Sequence, residues 1–94
     1  MIRLNCFFQA NPEGETNYRD ALRAASNLAE LSRKHPGCIA YDVFLSTSRA
    51  DVFMICETWQ DQAALDAHKA TPEYRRYAPI VEKCGLIKIE RFEF

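Results

Sequence analysis

Between Glu57 and Tyr77 stand most of the side chains in this sequence that can move a proton or hold an aromatic ring: Glu57, Trp59, His68, Tyr74 and Tyr77. His68 lies four residues after Ala64 and three after Leu65, so on a helix it shares their apolar face and points at a sheet. A neutral imidazole under an apolar cover serves as a general base near pH 7. The same position suits a structural histidine bonded to a backbone carbonyl. Glu57 and Trp59 alternate with Phe53 and Ile55, which puts a carboxylate on an apolar strand face where it needs a partner. It is either a buried acceptor or a group that tunes a neighbour. Tyr74 and Tyr77 share the inner side of a helix with Ala78 and Val81, while Arg75 and Arg76 point outward, so the tyrosines line a pocket or fill a core. Asn5 is a short polar residue inside a strand pattern, a local misfit that marks a site, a bulge or a bonded amide. His35, at the end of a long helical pattern, reads as a cation at the negative end of the helix dipole.

Several chemistries are excluded. The two histidines, with no C-x-x-C and no H-E-x-x-H, provide no dedicated metal site. No glycine-rich loop joins a strand to a helix, so phosphate and dinucleotide binding have no support. Twelve basic and thirteen acidic residues give a net charge of −1 and are spread without a run of one sign. Nucleic acid and anionic membrane are therefore poor partners. No stretch approaches the roughly 20 apolar residues of a membrane span, and the N-terminus lacks the character of a signal peptide. The dispersed Cys6, Cys38, Cys56 and Cys84 read as small hydrophobes of a reducing cytoplasm.

The elements that must position these groups follow from periodicity. Residues 2–9 form a strand, with Leu4, Cys6 and Phe8 on one face and Arg3, Asn5, Phe7 and Gln9 on the other. Tyr18, Ala21, Leu22, Ala25, Leu28 and Ala29 recur at helical spacing between Glu15 and Lys34, and Thr16 or Asn17 can cap the start. Residues 38–45 and 51–58 are strands joined by a loop of hairpin length. Asp61 caps a helix that Thr71-Pro72 interrupts and restarts. Pro79 predicts a kink or break near Ala78. Residues 86–94 form a last strand.

The order strand, helix, strand, strand, helix, strand is the ferredoxin-like βαββαβ unit, an α+β fold in one domain, with an antiparallel sheet and its helices on one face. Every strand carries apolar residues on both sides. The uncovered face of the sheet should therefore pack against a second sheet, most simply in a two-fold homodimer.

Gly37-Cys38 with Tyr41, then Glu57-x-Trp59, then Leu65-Asp66-Ala67-His68-x-x-Thr71-Pro72, followed by Tyr77 and Val81, resembles the antibiotic biosynthesis monooxygenase family, especially its small quinol monooxygenase-like members. The resemblance covers essentially the whole chain. It implies a dimeric α+β barrel and, in some members, oxidation of phenols or quinols by molecular oxygen with neither metal nor flavin. Other members isomerise small metabolites, cleave haem or have no assigned activity. The haem-degrading pattern is disfavoured, because His68 occupies the position of its tryptophan and Ala78 or Pro79 that of its histidine.

The expectation is thus a cofactor-independent monooxygenase acting on a small aromatic phenol or quinol and O₂. His68 would be the base or orienting group and Asn5 a hydrogen-bonding partner, with Trp59, Tyr74, Tyr77 and Glu57 around the substrate. An isomerase of a small carbonyl metabolite, or a non-catalytic ligand-binding or stress-related dimer, is the alternative.

Overall fold

The computed structural model describes residues 1–94. The chain forms β1 (Ile2–Ala10), α1 (Asn17–Ser32), β2 (Cys38–Leu45), β3 (Val52–Trp59), α2 (Gln62–Lys69), α3 (Pro72–Lys83) and β4 (Gly85–Glu93). The strands make one antiparallel sheet in the order β2-β3-β1-β4. This is the βαββαβ unit with its second helical segment divided in two.

Strand parity decides what each side of the sheet can do. Leu4 pairs with Glu57, Cys6 with Ile55 and Phe8 with Phe53, and all six turn toward the helices. Arg3, Asn5, Phe7 and Gln9 turn away from them, because adjacent strand residues point to opposite faces. In the core Phe8 stacks on Phe53 with ring centroids 4.5 Å apart. The helix α1 contributes Ala21, Ala24, Ala25, Leu28 and Ala29 to the same cluster. Four alanines on one helical stripe let the backbone lie close to the sheet, and full burial of a Leu or Phe contributes about 1.5–3 kcal/mol.

Helix α3 runs through Pro79 without the expected break. The proline ring is on the exposed side, so the helix loses one internal hydrogen bond there but meets no packed neighbour. Val81 is buried in the core, and Tyr74, Tyr77 and Ile80 pack against it. These contacts hold the helix, which continues to Lys83.

The turn before β2 is fixed by a close approach. Gly37 adopts φ +79°, and a Cβ there would lie 2.4 Å from the Ala64 Cβ of α2. Its carbonyl accepts a hydrogen bond from the Gln60 N–H at 2.8 Å. The turn carrying His35 is thereby pressed against the start of α2. No helix is long and apolar enough to cross a membrane.

Substituting Gly37→Ala adds both backbone strain and a steric clash, and should destabilise the fold by about 1–3 kcal/mol. Urea unfolding measures this; an unchanged midpoint would contradict the tight docking of the turn.

Candidate active site

The site is assembled where α2 gives way to α3. Asp61 caps α2 by accepting the Ala64 N–H at 2.8 Å. At the other end the Thr71 hydroxyl donates to the His68 carbonyl at 2.7 Å and accepts the Tyr74 N–H at 3.2 Å. One side chain therefore closes the first helix and opens the second, as a good N-cap followed by Pro72 at the first helical position should. The junction brings His68 and Tyr74 into edge-on contact, with ring centroids 5.1 Å apart.

His68 is 1% exposed. Its ring lies 4.4 Å from that of Trp59 and 5.7 Å from that of Tyr41. Its Nδ1 is 3.0 Å from the Nδ1 of His35, and the His35 Nε2 is 3.1 Å from the Glu73 Oε2. Its Nε2 is buried without a partner. Burial, with smaller contributions from His35 and Lys69, pushes the His68 pKa down to about 4. The ring is therefore neutral at pH 7.

A cavity of about 90 Å³ opens between the sheet and α3. Its wall includes Cys6, Tyr41, Ile55, Glu57, Tyr74 and Val81. The Glu57 carboxylate is 6% exposed and accepts the Trp59 indole N–H at 2.9 Å. Burial raises its pKa, opposed by the Trp59 indole and the Tyr41 hydroxyl. Tyr41 is itself pushed up by burial and then by Glu57, and the Cys6 thiol, for the same two reasons, is pushed up to about 12. At neutral pH both keep their protons, so the wall is apolar except for the hydroxyls and the carboxyl groups of Glu57 and Glu82.

The residues singled out in the sequence separate into four places. Glu57 and Tyr74 are in the cavity wall. His68 and Trp59 are not; their rings meet at a tilt of 35° and contact Tyr41, and His68 also contacts Tyr74. Tyr77 faces a groove toward α1, with Asp20, Arg23 and Ala24 across it, and the Arg76 guanidinium lies 5.1 Å from its ring centroid. Asn5 is on the opposite side of the sheet, with its Oδ1 buried and unpaired. Strand parity keeps it from touching anything held in the cavity of the same chain.

Three groups were missed. Tyr41 shares its sheet row with Leu4 and Glu57, a relation that only the register reveals. The ring of His35 is engaged not by the carbonyls that end α1 but by His68 and by Glu73, one at each nitrogen. Glu73 carried no signal beyond being acidic in the first turn of α3. No group of three or more His, Cys, Asp or Glu side chains is arranged to hold a metal ion.

Residues 1–79 match the family model described as antibiotic biosynthesis monooxygenase. The chain belongs to this family. A Bacteroides thetaiotaomicron protein of unknown function, described as a possible oxidoreductase, is 48% identical, with 99% of this chain and 96% of that one covered and a TM-score of 0.91. The Bacillus subtilis protein named "Putative monooxygenase YcnE" is 29% identical over 77 residues, which are 82% of this chain and 78% of that one. SnoaB of Streptomyces nogalater, described as a cofactor-independent oxygenase, has the same fold at 12% identity, with a TM-score of 0.82 over 99% of this chain and 91% of that one. The same fold is thus shared by chains of widely divergent sequence.

The depressed pKa of His68 makes stability depend on pH. The folded protein binds this proton less readily than the unfolded chain, so stability is complete above the ordinary histidine pKa of about 6.5 and is lost as pH falls toward 4. The loss attributable to this group is at most about 3 kcal/mol. Urea titrations at pH 7.5 and 4.5 should show a larger loss for the wild type than for His68→Gln; equal losses would contradict the burial of a neutral ring.

Proposed function

We propose that the chain is a cofactor-independent monooxygenase that oxidises a single-ring phenol or quinol with O₂. The observation that carries the reading is the buried, neutral His68 whose Nε2 has no partner, set one aromatic layer behind a mainly apolar cavity with one buried carboxyl group, that of Glu57. Membership of a monooxygenase family supports the reaction class. SnoaB, named a cofactor-independent oxygenase, supports the absence of flavin and metal on a shared fold.

The size of the cavity supports the substrate class. An engineered apolar cavity of about 150 Å³ holds one benzene ring, so a space of about 90 Å³ takes one ring only when a wall group yields. Tyr74 is that group: it is half-buried, lies in the wall, and meets His68 edge-on. Its displacement by a ring brings the substrate hydroxyl to the Nε2 of His68. Glu57 then accepts a second hydroxyl across the ring.

Removal of a phenolic proton by His68 makes an electron-rich anion that reduces O₂ directly. For benzene-1,4-diol, one oxygen atom replaces a ring hydrogen to give hydroxybenzoquinone, and the other leaves as water. The substrate supplies all four electrons, so the protein needs only to bind, deprotonate and exclude water. Asn5 takes no part in this scheme.

The outer face of the sheet supports a homodimer. Phe7, Phe44, Leu86 and Phe92 are exposed there on β1, β2 and β4, and a facing copy would supply a donor for the unpaired Asn5 Oδ1. Light scattering at micromolar concentration should give the mass of two chains; a monomer mass would remove this part of the reading.

An oxygen electrode tests the chemistry. Benzene-1,4-diol should drive oxygen uptake that His68→Ala lowers by about a hundredfold or more in kcat, while Glu57→Gln mainly raises KM. Unchanged uptake in folded His68→Ala would exclude the base, and turnover of a carbonyl compound without oxygen uptake would favour an isomerase.

A further inference from the structure

His35 and Glu73 lie outside the cavity and do not touch a molecule bound in it, yet they form a continuous hydrogen-bonded line to His68. We propose that Glu73 and His35 are positioning residues that fix the tautomer of His68, so that its Nε2 carries a bare lone pair. The inference deepens the reading of His68 as the base and rests on that reading for its catalytic meaning. The tautomer itself is a property of the resting protein.

The assignment follows from counting protons along the line. The hydrogen bond from His35 holds the Glu73 carboxyl below the usual range, so at neutral pH it is ionised and has only acceptors. The His35 Nε2, 3.1 Å away, must therefore be the N–H. A neutral imidazole has one N–H, so the His35 Nδ1 is a lone pair. At 3.0 Å from it, the His68 Nδ1 has to supply the proton of the second bond. His68 is also neutral, and its Nε2 is left without hydrogen. That nitrogen is the one with no partner in the structure. The whole line works in one direction only, from a carboxylate that can accept to an imidazole nitrogen that can accept.

The same counting gives the acid form. When His35 gains a proton, both its nitrogens become donors, and the His68 Nδ1 must switch to acceptor. A neutral His68 then carries its hydrogen on Nε2 and is no longer a base. A His35 that carries a second proton would thus silence a neutral His68. The other polar groups around His68 do not compete. Lys69 follows it on α2, and the Tyr41 and Tyr74 rings face it from β2 and α3. Glu57 is held by Trp59. His35 alone reaches a ring nitrogen of His68.

Long-range ¹H–¹⁵N correlation spectra of histidine-labelled protein test this without turnover, since the chain has only two histidines and His35→Phe assigns both. At pH 8 the wild type should show His68 protonated at Nδ1 and bare at Nε2, with His35 protonated at Nε2. In His35→Phe, and in Glu73→Ala at a partly exposed position that tolerates truncation, the single tautomer should be lost and an Nε2–H signal should rise for His68. A proton on the His68 Nε2 in the wild type at pH 8 would overturn the proposal, as would retention of the Nδ1–H tautomer in either variant. If the spectra agree but no quinol is turned over, the positioning stands and the oxygenase reading falls.

Discussion

An imidazole as buried as His68 stays in a folded protein only if it is uncharged and at least one of its nitrogens is bonded, and the structure meets both conditions with groups from separate parts of the chain. Trp59 at the end of β3 covers one side of the ring, Tyr41 and Tyr74 close others, and His35 reaches across from the turn before β2. That turn is possible because Gly37 accepts a positive φ and has no Cβ to strike Ala64. The break between α2 and α3, held by the two hydrogen bonds of Thr71, sets the angle at which the ring enters. The sheet and the long helix then act as a platform whose register aligns Leu4, Glu57 and Tyr41 in one row beneath the cavity.

The division into two layers explains the chemistry proposed for the site. The cavity wall itself is nearly apolar; of its two acidic residues, Glu57 is bonded to the Trp59 indole and Glu82 is exposed. A free base in that wall would be hydrated through the mouth. Held one layer back, His68 is dry and neutral, and in the proposed reaction it meets a ring only when Tyr74 is displaced. This arrangement suits a reaction in which deprotonation is the only step the protein must perform and water is the main competitor.

The architecture was legible because period-2 and period-3.6 patterns are local, and they agreed with the capping residues at Asp61 and Thr71. The inward direction of His68 was legible for the same reason. Pro79 does not break the helix, since an exposed proline costs it one bond and leaves its packed face intact. Asn5 was read as a site residue although its parity with Arg3 and Phe7 already set it apart from Leu4 and Cys6; the misfit was real, but it belongs to the other face of the sheet. Tyr77 shares a helical face with Tyr74 too loosely to share its cavity, because three residues of helix rotate a side chain by most of a turn and no more. The contact between His35 and His68 was beyond reach, as it spans 33 residues and depends on a turn geometry that no periodicity encodes.

The account as a whole stands on O₂ being split between product and water. Incubation of the protein and benzene-1,4-diol with ¹⁸O₂, followed by immediate reduction of the quinone to the triol and mass spectrometry, measures this directly. One labelled oxygen atom per product molecule is the predicted result. A product without label, or the same product formed under argon, would contradict it.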